Sequence, residues 1–304
     1  AGSLHYPLYK WFSFENTNYT YVDETRYIGY KPDTNDKTAT EVPVYSAIVG
    51  NLHAHYIDLI FSLTMLALLV QFFVQIENSE KNKYKSFNYY ARFAIIALIL
   101  GIQKMTNYWD FPIYFVIIAI TIIAKNLLCN KFNKKSITET IFLLFGIILL
   151  EELFTLPFNL DLYISSTKVY FTGIMSPLYK LLVKWGLPVL CAISFLIIFL
   201  INFKRTANTK KGIFKEYLNN NLPDLYIIIL SFCAIGLIIL PEIIYLKDIY
   251  GDEFKRFNTM FKLTYQAFLL FSICTNYILA KICISKMKTI NYIAFFLLII
   301  NLTT

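Results

Sequence analysis

Charge is scarce in this chain. Asp, Glu, Lys and Arg make up 16% of its 304 residues, where a soluble domain carries about 25%. Cysteine is also sparse. Cys129, Cys191, Cys233, Cys274 and Cys283 fall in apolar runs or lysine-rich loops, and none pairs in a metal-type spacing, so neither a disulfide framework nor a zinc site is expected. Gly-rich phosphate loops, the dinucleotide-binding fingerprint and the nucleophile elbow are all missing, so nucleotide chemistry has no support. No window alternates with the period of a membrane-barrel strand. There is neither an initiating Met nor a signal peptide, and the last residues lie inside an apolar run. Both ends therefore read as cuts in a longer polytopic protein, whose N-terminal spans would be partners of this portion.

Apolar residues fill the space that charge leaves. The chain is 57% hydrophobic and 17% aromatic, and its apolar runs reach membrane-spanning length. A hydrocarbon core about 30 Å thick needs roughly 20 helical residues. On that measure spans are predicted near 56–76, 88–106, 111–128, 138–158, 185–203, 224–245, 259–280 and 289–304. The expected fold is an all-α polytopic transmembrane helix bundle of about eight spans, residues 56–304, behind an exocytoplasmic polar and aromatic segment, residues 1–55. The formal net charge of +8 comes largely from loop lysines and is no argument for nucleic acid. Lys81, Lys83 and Lys85 follow the first span, Lys125, Lys131, Lys134 and Lys135 the third, Lys204 to Lys215 the fifth, and Lys281, Lys286 and Lys288 the seventh. If the spans alternate, all four groups share one side, expected to be the cytoplasmic face of the cell (plasma) membrane.

The opposite face then receives the unusual motifs. In "FKRFNTMFK", Asn258 is expected to cap a helix starting at Thr259. Arg256 and Lys262 would add two cations to that positive helix end, an arrangement an anion such as phosphate would resolve. The alternative is that Lys255 and Lys262 snorkel to lipid headgroups while Arg256 pairs with Asp252 or Glu253. In "PEIIYLKD", Glu242 and Asp248 are candidates for acid–base work or for structural pairing with Arg256 or Lys262. In "TNYWDFP", Asp110 suits a helix start and is a third candidate for acid–base work or a structural role, with Trp109 beside it as an interfacial anchor or a stacking platform for a sugar. His53 and His55 in "NLHAHYID" point apart if helical. They read as hydrogen-bonding groups for a polar ligand or for Asp110. No metal ligand set is expected. Glu151 and Glu152 sit within a span, where at least one faces protein.

"VPVYSAIVGNLHAHYIDLIF", "TNYWDFPIY" and "PEIIYLKDIYGDEFKRFNTMFKLTYQAF" resemble, in order, three signatures of the YYY family of uncharacterised polytopic membrane proteins, over about residues 20–270. That family is grouped with membrane glycosyltransferases of the GT-C type. The resemblance implies a GT-C-like fold, an outward-facing site and a sugar donor carried on a polyprenyl phosphate. It places Arg256, Asn258 and Lys262 at the donor phosphate and His53, His55 and Trp109 at the substrate, and it admits a divalent cation as cofactor. Asn51 stands where the family usually has Asp, and Ala54 where it has Pro. The family's front half, with its first outer loop, is not in this sequence. Besides glycosyl transfer, the residues leave open a lipid or small-molecule transporter and a non-catalytic membrane subunit.

Overall fold

The computed structural model describes residues 20–30, 34–50, 52–75, 87–130, 133–161, 168–209, 214–247 and 251–284. Its helices run in chain order as α1 (Tyr21–Thr25), α2 (Pro43–Val49), α3 (Ala54–Ile57), α4 (Leu59–Val74), α5 (Phe87–Thr106), α6 (Asp110–Asn130), α7 (Lys134–Phe154) and α8 (Leu156–Asp161). After strand β1 (Val169–Phe171) come α9 (Leu178–Thr209), α10 (Phe214–Asn220), α11 (Leu222–Ile243), strand β2 (Ile244–Leu246) and α12 (Phe257–Ile284). The fold is that of an all-α polytopic membrane protein. Five stretches among the described residues are long and apolar enough to cross a bilayer: Ala54–Val74, Asp110–Leu128, Leu178–Thr206, Leu222–Ile243 and Asp252–Ile284. Two further long helices, α5 and α7, lie over the ranges expected as spans at 88–106 and 138–158. The range 289–304 lies outside the described residues.

The helices carry their apolar residues on the outside as well as the inside. On α7, Ile141, Phe142, Phe145 and Leu149 are each about 60% exposed, and α9 likewise presents Leu190, Ile197 and Leu200 outward. In water such surfaces would aggregate; in lipid they cost nothing, because the chains around them are equally apolar.

The chain forms two compact units. One comprises residues 1–51, 164–201 and 230–304, the other residues 52–163 and 202–229. In the first unit Trp185 stacks on Phe271 at 6.3 Å, and Tyr265, Leu270 and Cys274 are fully enclosed. In the second, Phe73 packs on Tyr226 at 5.2 Å, with Met65, Leu69, Leu100 and Ile118 sealed around them. Lys125, expected in a cytoplasmic loop, instead lies inside α6. It is 4% exposed and donates to the Phe73 carbonyl at 2.8 Å and to that of Gln75. These are orphan carbonyls at the C-terminus of α4, and the cation answers both their hydrogen-bonding need and the helix dipole.

One small sheet interrupts the helices. Strands β1 and β2 pair antiparallel, with Val169 opposite Leu246 and Tyr170 opposite Tyr245. The span expected near 224–245 ends as a helix at Ile243, and Ile244–Leu246 continues as strand β2. Three-residue strands are too short to show a period, although their β-branched and aromatic content favours pairing.

Candidate functional site

The first unit gathers its polar groups around Arg256. The loop after α1 turns at Gly29, whose φ of 94° is a left-handed conformation that glycine adopts without strain. Thr34 and Thr38 close the turn by donating from their hydroxyls to the carbonyls of Gly29 and Ile28. Lys37 N–H then donates to the Glu253 carbonyl at 2.7 Å, which fixes Asp36 beside the segment leading into α12.

Arg256 immediately precedes α12 and is 2% exposed. Its Nε donates to Asp36 Oδ2 at 2.8 Å, and one terminal nitrogen lies 2.6 Å from the same oxygen. The other terminal nitrogen donates to Glu242 Oε2 at 2.7 Å and to the Pro241 carbonyl at 3.3 Å. Ser176 accepts from the guanidinium at 2.8 Å and donates to Glu242 Oε1 at 2.9 Å, while its N–H donates to Glu242 Oε2. Two carboxylates thus enclose one guanidinium, a charge-assisted network with its acceptors satisfied by several donors.

This geometry corrects two expectations. Arg256 does not present open donors to an anion: it pairs with Glu242, as one of the expected alternatives had it, and with Asp36, in place of Asp252 or Glu253. Nor does Asn258 cap the helix: α12 begins at Phe257, so Asn258 lies inside its first turn. Thr259 instead uses its hydroxyl to accept from the Leu246 N–H at 3.0 Å, tying β2 to the helix. Lys255 lies 3.6 Å from Asp252, and Lys262 sits over the Phe261 ring at 4.8 Å. Asp248 and Asn51 lie outside the described residues.

Beside Arg256 opens a cleft of about 350 Å³, lined by Asn35, Asp36, Thr172, Tyr245, Asp252 and Lys255 among others. Tyr245 is held there by its cross-strand partner Tyr170, stacked at 5.8 Å. Asp36 keeps 14% of its side chain exposed and so is held from behind by Arg256 while remaining open toward the cleft.

The same unit encloses two lysines that lie outside the sequence motifs. Lys184 is 1% exposed and pairs with Glu24 at 3.0 Å. Lys180, one turn earlier and equally buried, donates to the Tyr27 carbonyl at 3.3 Å and lies 5.6 Å from the Tyr27 ring centre. Burial, with Tyr179 nearby, pushes the Tyr27 phenol up from its ordinary range, so the ring stays neutral beneath the ammonium. The one signal in the sequence was their spacing: residues four apart on a helix share a face.

In the second unit the motif aspartates are interior. Asp58 lies in the turn between α3 and α4, and Asp110 is the first residue of α6; both are 0% exposed. Asp110 therefore starts its helix as expected, but inside the protein. Ser62 Oγ donates to Asp58 Oδ2 at 3.1 Å, and Gln103 Nε2 donates to both at 3.2 Å. Of the other residues expected at a substrate, His53 is exposed, His55 buried, and their rings stack at 5.3 Å. Trp109 is half-buried. Glu151 and Glu152 find their partner in Lys104, at 3.1 and 2.8 Å.

No curated protein and no solved structure matches this chain. A sequence family described as an uncharacterised membrane protein, DUF2298, matches residues 3–220 and 208–271. A polytopic helical chain with buried ion pairs among lipid-facing helices accords with that description, and by this match over most of its length the chain belongs to the DUF2298 family.

Proposed function

We propose that this protein is a membrane-embedded glycosyltransferase, acting on a sugar carried by a polyprenyl phosphate at the cleft beside Arg256. The observation that carries the reading is Asp36, a carboxylate oriented by a buried guanidinium and open to a cleft that has a tyrosine on its wall. A carboxylate fixed in this way can accept the proton of an attacking hydroxyl, and an aromatic face suits the apolar side of a sugar ring. The resemblance to the YYY family and, through it, to GT-C enzymes supports the same chemistry. That support is an analogy at the level of the fold.

In this reading Arg256 is a positioning residue for Asp36, with Glu242 as its second counter-charge. Lys255 on the cleft wall and Lys262 near the start of α12 supply cations for the carrier phosphate. The lysine-rich loops would be cytoplasmic, the motif loops exocytoplasmic, and the membrane the plasma membrane.

The test uses the complete protein in mild detergent, with native mass spectrometry for bound lipid and a transfer assay from a labelled polyprenyl-phosphate sugar. The Asp36→Asn variant is expected to retain the lipid and to lose transfer by about 100-fold or more, the scale of general-base removal. Transfer by the variant at the parental rate, or no polyprenyl-phosphate species bound to the parent, overturns the reading.

A further inference from the structure

The small sheet of the first unit has two faces of opposite character. Its ladder runs one step beyond the strands at each end: Lys247 N–H donates to the Lys168 carbonyl at 3.1 Å, and Thr172 N–H to the Ile243 carbonyl at 3.0 Å. With Tyr170 opposite Tyr245, this register sets Lys168 directly opposite Lys247. Side chains two apart on a strand share a face. Both lysines therefore stand on the face of the Tyr170–Tyr245 stack, which also carries Thr172, and Tyr245 and Thr172 line the cleft. Both lysines are exposed. Val169 and Phe171 take the other face and are exposed as well.

The apolar surface does not end with β1. Residues 172–177 form neither helix nor strand. Thr172 donates from its hydroxyl to the Glu242 carbonyl at 2.9 Å, and Ser176 holds the Glu242 carboxylate, so the segment is pinned from inside. Phe171, Ile174, Met175 and Leu178 are each more than half exposed. Leu178 opens α9, a helix of membrane-spanning length, and the outward Leu182 and Leu190 carry the same surface along it. Large apolar side chains in such a patch are unfavourable in water. Irregular backbone is equally unfavourable against hydrocarbon, which offers it no hydrogen bonds. The boundary between headgroups and acyl chains satisfies both. At that depth the lysine pair meets phosphates. Two cations opposite each other on a ladder repel, and an anionic headgroup between them removes that cost.

We propose that the β1–β2 sheet and residues 172–178 form an interfacial element that reads anionic lipid. Phe171, Ile174, Met175 and Leu178 enter the top of the acyl layer, and Lys168 and Lys247 hold the phosphate of a negatively charged headgroup. The partner is the lipid surface of the surrounding leaflet. Thr172 and Tyr245 belong both to this element and to the cleft, so the cleft opens at headgroup depth, within reach of lipid-borne phosphate. The element does not require sugar transfer and is tested apart from it.

The complete protein is placed in phosphatidylcholine nanodiscs with a fluorescent amino acid at position 171, introduced by stop-codon suppression. Quenching is read with a water-soluble nitroxide and with traces of phosphatidylglycerol or phosphatidylcholine, each carrying a nitroxide high on its acyl chain. The lipid-borne nitroxides are expected to quench more strongly than the soluble one. Labelled phosphatidylglycerol should reach half-quenching at a lower mole fraction than labelled phosphatidylcholine, by about fivefold for each lysine, the scale of one basic residue at an anionic surface. Lys168→Gln with Lys247→Gln is expected to bring the two lipids level while leaving the depth of the reporter unchanged. The elution volume and melting midpoint report whether that variant is folded. Should it not fold, Lys168→Gln alone is expected to lose about fivefold of the preference. Inorganic phosphate should reduce the preference no more than chloride at equal ionic strength; its selective loss in phosphate would assign the lysines to a free anion and overturn the proposal. The proposal is equally overturned if only the soluble nitroxide quenches, if both lipids quench alike in the parent, or if the folded double variant keeps the parental preference.

Discussion

Removing Arg256 tests the architecture of the first unit most directly. In Arg256→Ala, Glu242, 8% exposed, would keep Ser176 as its one donor among the described residues, and Asp36 would lose the group that orients it. Breaking a buried pair from one side costs about 3–5 kcal/mol, chiefly because the surviving charge is left buried. Glu242→Gln removes that charge while retaining a hydrogen-bonding side chain. Combining it with Arg256→Met should therefore cost less than the sum of the single changes, with a coupling of about 1–3 kcal/mol. The assay is unfolding of the complete protein in detergent, by heat or denaturant, for the parent, both single variants and the double variant. Strict additivity, or an Arg256→Ala variant as stable as the parent, would falsify the enclosed network and restore a solvent-facing guanidinium. Sugar transfer alone is the poorer readout for Arg256, because a misfolded unit and a lost ligand contact both abolish it.

Other changes probe neighbouring features. Gly29→Ala should destabilise the first unit by about 1–3 kcal/mol and reduce transfer, since the added Cβ would lie 2.5 Å from the Asp36 carbonyl; an unchanged melting point and rate would count against the turn. Lys104→Met should cost about 3–5 kcal/mol by stranding Glu151, and Lys104→Met with Glu151→Gln should recover much of it; equal melting of the single and double variants would refute the pairing. Gly101→Ala brings a methyl within 2.9 Å of Thr155 Cγ2 where α5 meets α7, an overpacking worth about 1–3 kcal/mol, visible as a lowered unfolding midpoint. Lys125→Met should lower the midpoint of the second unit by uncapping α4, at a cost of about 1 kcal/mol or more; no shift would remove the capping role.

Class and helical character were legible in the sequence because they follow from one-dimensional quantities. Apolar runs long enough to span a bilayer leave the backbone no alternative to internal hydrogen bonding, so helices had to form there. The carboxylates and cations near the span ends were equally visible, since each is expensive in an apolar setting and therefore conspicuous. Their partners were not. Arg256 meets Asp36 across 220 positions of sequence, and Asp58 meets Gln103 across 45. Local spacing carries no information at such separations. The sequence by itself determined that Arg256, Glu242, Asp110 and Glu151 must each be compensated, because a bare charge cannot persist in so apolar a chain. Only the tertiary structure decided by what. It folded the Gly29 turn back to place Asp36 on Arg256, so a cation read as a clamp for an outside phosphate became the holder of an interior carboxylate. The physical reason is proximity: of the anions within reach, those fixed in place by the fold need no further loss of freedom to bind.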